Sequence, residues 1–260
     1  MNVARRETAE AFMAATRPAC APGVGCGPVT PDERWHAAVW PFVRGQLPAP
    51  PARVLEIGCG PAGGFVPKLH ASGYDATGID PAAPPGPWYV QAEVERYGIG
   101  EPAAAIVACA SLHHVADLGE VLDLAAAALI PGGVLVVVEW ARERFDEATA
   151  RWCFSRLAQP EDQHDWLRER LAGWRSSGRT WDAYCRSWAQ AEGLHAGQDI
   201  LRELHARFDC EGLAYGPYYF PGLAGTSEAD EQAAIDAGQI QANRIQDHGR
   251  RSQDTKPADG

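Results

Sequence analysis

The stretch VLEIGCGPAGG, residues 54–64, constrains the chain more than any other. Its apolar start reads as a buried strand, and the glycine cluster that follows reads as a tight turn. Strands disfavour glycine, and glycine enters positive-φ conformations without steric cost. Glu56 lies inside the apolar run, where a carboxylate is expensive unless it has partners. Gly58, Gly60 and Gly63 have the spacing G-x-G-x-x-G, and Asp80 closes the next apolar run 17 residues after Gly63. A turn this rich in glycine predicts a ligand held close to the backbone.

Around that turn, strand and helix patterns alternate. ARVLEIG, YDATGID, WYVQAE, AAAIVACASL and GGVLVVVEW read as strands, and GFVPKLHASG and LGEVLDLAAAALI as helices. Apolar runs buried on both faces and separated by helices imply a parallel sheet in an α/β fold. Upstream, residues 1–16 read as a helix, RPACAPGVGCGP as a loop, and Thr30-Pro31-Asp32-Glu33 as a helix start, in which Pro41 should introduce a bend. Downstream, six of the nine tryptophans lie between 140 and 188 in a helical region, and SSG at 176–178 separates two helices there. The tryptophans at 152, 166, 174, 181 and 188 are expected mainly in the core of that region, and Gly173 and Gly178 are candidate hinge points. Strand character returns at ARFDCEGLAYG, then a helix through SEADEQAAIDAGQIQA, a short last strand at RIQDHGR and a disordered tail.

Composition narrows the class of function. With 46% hydrophobic residues the chain can build a real core, and 34 acidic against 23 basic residues give a formal charge of −11, which opposes a polyanionic partner. No apolar run is long enough to span a bilayer, and the N-terminus lacks the apolar centre of a secretion signal, so the expectation is a soluble cytoplasmic protein without nucleic-acid or membrane partners. Seven scattered cysteines with no C-x-x-C pair read as reduced thiols. Cys20 and Cys26 belong to a flexible loop on this reading and bind no metal.

From the residues alone, the glycine turn and Asp80 suit two ligands. One is a dinucleotide, with its pyrophosphate at a helix N-terminus and the acid on a ribose diol. The other is S-adenosylmethionine, which has the diol without the phosphate. Glu56 favours the second, because a negative charge beside the turn opposes a pyrophosphate and suits a cation. Two further stretches, SLHHVAD and LIPGGVLVVVE, point the same way. With them the chain resembles the class I S-adenosylmethionine-dependent methyltransferases, firmly over residues 50–140 and loosely over 205–250. That family shows E/D-x-G-x-G after the first strand, an acid closing the second, L-H-H-V closing the fourth and L-x-P-G-G opening the fifth.

The resemblance implies a Rossmann-like, seven-stranded, mostly parallel sheet with helices on both faces and a helical lid inserted after the fifth strand. The expected divisions are an N-terminal helical segment at 1–49, a donor-binding core at 50–140, the lid at 141–204, a strand-helix-strand unit completing the sheet at 205–250 and a disordered tail at 251–260. It further implies that Gly58, Cys59 and Gly60 line the methionine part of the donor, that Glu56 supports its amino end and that Asp80 accepts both ribose hydroxyls. Glu93 and Val94 would flank the adenine. The chain departs from the family pattern at Ala104 or Ala105, where relatives commonly open the fourth strand with Asp.

Methyl transfer from a sulfonium is an in-line displacement, so alignment matters most, and a base is needed only where the acceptor must lose a proton. His113, His114 and Glu139, at the carboxyl ends of the fourth and fifth strands, are the candidate catalytic groups, although either histidine could equally serve packing and Glu139 could be a solvated strand-end acid. His195 reads as a charge at a helix C-terminus. Tyr215, Tyr218 and Tyr219 could wall an apolar acceptor pocket suited to an aromatic or bulky small molecule. The competing readings are a nicotinamide-dependent dehydrogenase and a donor-binding scaffold without catalysis.

Overall fold

The computed structural model describes residues 29–98, 100–158 and 166–251. The helix expected at 1–16, the loop holding Cys20 and Cys26 and the tail beyond Arg251 lie outside the described residues. Helix α1 (Pro31–Gln46) starts as its sequence dictates: Glu33 N donates to Thr30 Oγ1, and Thr30 N donates to the Glu33 carboxylate. The helix continues past Pro41 and buries Val39 and Val43, one turn apart.

There follow β1 (Arg53–Ile57), α2 (Val66–Ala71), β2 (Asp75–Ile79), β3 (Tyr89–Val90), α3 (Val94–Tyr97), β4 (Ala103–Cys109), α4 (Leu118–Ala128) and β5 (Leu129–Trp140). Four helices come next, α5 (Glu147–Phe154), α6 (Trp166–Ser177), α7 (Trp181–Glu192) and α8 (Gly197–His205). The chain then closes with β6 (Phe208–Gly216), α9 (Glu228–Asp236) and β7 (Arg244–Arg251). The sheet order is β3-β2-β1-β4-β5-β7-β6, with β7 antiparallel to both neighbours and the remaining pairs parallel.

Alternation across the pleat explains the continuous apolar runs. Leu55, Ile57, Ile106, Leu135 and Val137 face a layer formed by α4 and α8, whereas Val54, Val107, Val136 and Val138 face α1 and α2. Ala105 is buried in register between Val54 and Val134, so the position that relatives commonly give to Asp is a packed sheet position here. A third cluster gathers Trp140, Phe145, Leu167, Trp181, Leu194, Tyr219 and Leu223 beyond the end of β5, with Trp152, Trp166, Trp174 and Trp188 packed against it. Those tryptophans serve mainly as core.

The helical segment after β5 differs from the expected lid in two ways. Ile200, Leu201 and Leu204 of α8 join the cluster under the sheet, because their 3–4 spacing gives that helix one apolar face. The helices that stand off the sheet are therefore α5 to α7. Gly173 is also no hinge: it lies inside α6, and a Cβ there would run into the Tyr184 hydroxyl, so it marks close helix packing. Gly178, at φ +64°, makes the turn between α6 and α7. No helix among the described residues is long and apolar enough to cross a membrane.

Candidate active site

Strand order reverses between β1 and β4, and the crevice beyond their carboxyl ends is where an open α/β sheet binds ligands. Around it, three loops are each pinned by one buried glutamate. After β1, Gly58 takes φ +77°, and a Cβ there would overlap Ser111, so glycine is required for the close approach of the β1 and β4 loops. Ser111 Oγ donates to Ile57 O at 2.8 Å and ties the two loops together.

Glu56 is 1% exposed, and both its oxygens accept the Phe65 N–H, at 3.0 and 2.8 Å, beneath Gly64. The carboxylate expected at the donor's amino end is thus turned to the loop's own backbone. Burial pushes its pKa up to about 8, against the opposing pull of the Phe65 and Val66 amides, and the nearby Asp80 adds to the rise. Asp80, just past β2, is 8% exposed; Gly60 N donates to its Oδ2 at 3.0 Å and Ala82 N to its Oδ1 at 2.7 Å. Cys59 packs its side chain beneath the loop near Gly78, with burial raising the thiol pKa, so only its backbone can face a ligand. Glu93 is exposed at the start of α3, and Val94 is half-buried against the cluster under α4.

The second glutamate is Glu139, which is fully buried rather than solvated. Its Oε1 accepts from Ser111 N at 2.7 Å and Leu112 N at 2.6 Å, and its Oε2 accepts from Trp140 N at 3.0 Å. His113 Nδ1 lies 2.7 Å from Oε2. With backbone donors on both oxygens the glutamate acts as acceptor throughout, so His113 Nδ1 donates to it. Ala110, at φ +52°, makes the tight turn that aims residues 111–114 at Glu139. The His114 ring lies against His113 at 4.1 Å between centroids, tilted by 41°. His114 is exposed at the mouth of the crevice, and partial desolvation by its neighbours, with the His113 charge second, lowers its pKa below the ordinary value. His195 does not serve a helix C-terminus. It follows the α7 cap, donates its N–H to His113 O at 3.0 Å and sets Nε2 2.9 Å from Val115 O, clasping the same turn.

The third is Glu231, fully buried in α9, whose oxygens accept from the backbone amides of Tyr218, Tyr219 and Phe220 at 2.6 to 3.1 Å. The clamp fixes Tyr218, which stacks on Trp140 at 5.9 Å and 15° and meets Trp35 edge-on at 5.0 Å. Trp35 Nε1 in turn donates to Cys109 Sγ at 3.3 Å. Burial raises the Tyr218 hydroxyl pKa, with the charges of Glu139 and Cys109 adding to it, as expected for a ring lying over the ends of β4 and β5. Of the other tyrosines, Tyr219 is buried and accepts from Trp140 Nε1, whereas Tyr215 is exposed beside Arg144.

Sequence reasoning missed Trp35, Ser111 and Glu231. Ser111 adjoins the L-H-H-V stretch and was within reach of it; Glu231 is hidden in an acidic helical run, and nothing in sequence marks it or Trp35.

The residues fit a cationic ligand better than a pyrophosphate. Among the described residues no lysine or arginine partners Asp80, so its carboxylate lines the turn without a counter-cation, while Glu56 is turned to the loop's own backbone. A family model described as a methyltransferase domain matches residues 33–187, more than half the chain. The chain belongs to that family, its methyl donor is S-adenosylmethionine, and the dehydrogenase reading falls. No curated protein matches the sequence. Among solved structures, an S-adenosylmethionine dependent methyltransferase from Mesorhizobium loti is 20% identical with a TM-score of 0.51, covering 82% of this chain and 98% of that one. A geranyl diphosphate methyltransferase solved with GPP and sinefungin is 16% identical with a TM-score of 0.51, covering 83% of this chain and 78% of that one. At such identities the likeness shows the fold.

Proposed function

We propose that this methyltransferase acts on an oxygen or nitrogen of a small aromatic or otherwise bulky acceptor, with His113 as the base and Glu139 as its positioning residue. The observation that carries the reading is the buried Glu139–His113 pair beside the aromatic wall of Trp35, Tyr218 and Trp140. On the donor side, Gly58, Cys59 and Gly60 offer backbone atoms to the methionine part, Asp80 accepts the ribose hydroxyls, and Glu93 and Val94 flank the adenine. Glu56 works through the loop it holds. When bound, the donor supplies an electrophilic methyl group on a sulfonium.

Trp35 and Tyr218, the latter backed by Trp140, would hold the acceptor against the donor; alignment of this kind is worth roughly 7 kcal/mol or more in well-oriented systems. His113 Nε2 would take the acceptor's proton as the methyl group is transferred, and Glu139 would stabilise the resulting imidazolium. His114, neutral at pH 7, lines the mouth. The formal charge of −11 supports a small acceptor over a nucleic acid.

The test is turnover of S-adenosylmethionine with a panel of phenols, aromatic amines and terpenoid alcohols, read as S-adenosylhomocysteine and methylated product by mass spectrometry. Saturable product with a panel member supports the reading. Turnover restricted to nucleic acid or protein acceptors overturns it.

A further inference from the structure

Far from the crevice, three side chains with metal-ligating atoms converge where α8 meets the antiparallel edge of the sheet. His205 is the last residue of α8, Cys210 lies in β6 and Asp247 in β7. His205 Nε2 lies 2.9 Å from Asp247 Oδ2, Cys210 Sγ lies 3.1 Å from Asp247 Oδ1, and the ligand atoms are all within 4.8 Å of one another. Sheet register explains the meeting. Cys210 pairs with Gly249, two residues along β7 from Asp247, so the two side chains are diagonal neighbours on one face. The register then shifts between Cys210 and Gly212, leaving Glu211 as the extra residue of a bulge that bends the strand just after the cysteine.

Asp247 is 1% exposed, yet its side chain has only the imidazole and the thiol as partners among the described residues. A thiol is a weak donor. By contrast, Glu56, Glu139 and Glu231 each hold backbone amides. With one imidazole and one thiol as its partners, this buried carboxylate lacks the backbone donors that satisfy the three glutamates, and a divalent cation would compensate it. We propose that His205, Cys210 and Asp247 bind a zinc ion, with water completing the tetrahedron, as a clasp that ties α8 to the edge strand.

The donor set is chemically apt: thiolate and imidazole select zinc over magnesium or calcium. Tetrahedral zinc–ligand bond lengths put nitrogen and oxygen about 3.4 Å apart and sulfur and oxygen about 3.6 Å apart. The ligand atoms, all within 4.8 Å of one another, reach these separations by shifts of up to about 1 Å, a rotamer-scale change. His205 and Cys210 are exposed, which gives the ion a path in. Coordination displaces the Cys210 thiol proton to solvent, so zinc competes with protons for the site. Asp247 pairs with Val137, three residues before Trp140 on β5, about 10 Å back from the crevice at strand spacing, so the ion plays no part in methyl transfer.

The test uses the full chain stripped with a chelator and titrated with zinc against a chromophoric competitor. One zinc per chain is expected, with at least tenfold weaker binding in Cys210→Ser and in His205→Ala. Both mutated side chains are exposed, and circular dichroism checks that each variant keeps the fold. Cobalt should give a sulfur-to-metal absorption band that Cys210→Ser abolishes, and zinc should raise Tm in the wild type alone. Equal zinc affinity in wild type and both variants, or no zinc bound at micromolar concentration, overturns the proposal.

Discussion

Replacing Glu139 with Gln tests the assignment of the base without removing volume. The carboxylate accepts four hydrogen bonds, two on each oxygen. A glutamine keeps one oxygen. If that oxygen faces Ser111 and Leu112, the amide nitrogen faces His113 and Trp140. The histidine can then accept from it by moving its own proton to Nε2, and only the Trp140 N–H loses its acceptor. The opposite setting strands both Ser111 and Leu112, so the first is favoured. One orphaned buried N–H costs about 1 to 3 kcal/mol, and the bonds that lose their charged acceptor weaken by roughly half, for a total near 3 to 4 kcal/mol. A domain with about 5 to 15 kcal/mol of stability still folds. The variant's His113, however, presents a donor where a base is required, and loss of a general base lowers turnover about 100- to 10,000-fold. The assay is kcat on the acceptor found in the panel, with circular dichroism for the fold and calorimetry for S-adenosylhomocysteine affinity. Unchanged turnover in a folded Glu139→Gln enzyme would refute the role of the pair, as would a turnover loss fully matched by lost donor affinity.

Three further outcomes are expected. Asp80→Ala should weaken S-adenosylhomocysteine binding at least about tenfold, since charged hydrogen bonds are worth roughly 1.5 to 3 kcal/mol each; an unchanged dissociation constant places the ribose elsewhere. Glu56 ionises near 4.5 when unfolded and about 8 in the fold, so its contribution is fully present below about 4.5 and is lost as pH rises to 8. In urea melts the wild type should lose stability relative to Glu56→Gln over that window, by up to about 1.4 kcal/mol per pH unit, and parallel pH profiles would contradict this. Donor plus acceptor should slow hydrogen exchange across residues 150–200 more than donor alone, chiefly in α5 to α7, and identical exchange in all three states would make the segment a fixed wall.

The parts of the fold that sequence revealed are those set by short-range chemistry. The Thr30 cap, the strands with apolar runs, the glycine turn and the acid closing β2 all announce themselves within a few residues. The acid on β1 was visible, but its use was not: Glu56 reaches a backbone amide nine positions on, which depends on how the turn closes. Glu231 clamps residues 218–220 across a bend that no local pattern encodes. Helix α8 reads like its neighbours in the tryptophan-rich region and joins the sheet layer only because Ile200, Leu201 and Leu204 find the α4 face. Gly173 looked like a breaker and is a packing contact, since the position of Tyr184 is set by the α6–α7 pairing. The His205–Cys210–Asp247 group depends on an antiparallel register and a bulge, neither of which is legible in residue spacing.

Methyl transfer is assigned to the crevice at the ends of β1, β2, β4 and β5, and a crystal structure with S-adenosylhomocysteine tests that most directly. The expected density lies along Gly58–Gly60, with the ribose hydroxyls on the Asp80 carboxylate, the adenine beside Val94, and the sulfur opening toward His113 and the Trp35–Tyr218 wall. Density at another surface, or a sulfur directed away from His113, would contradict it.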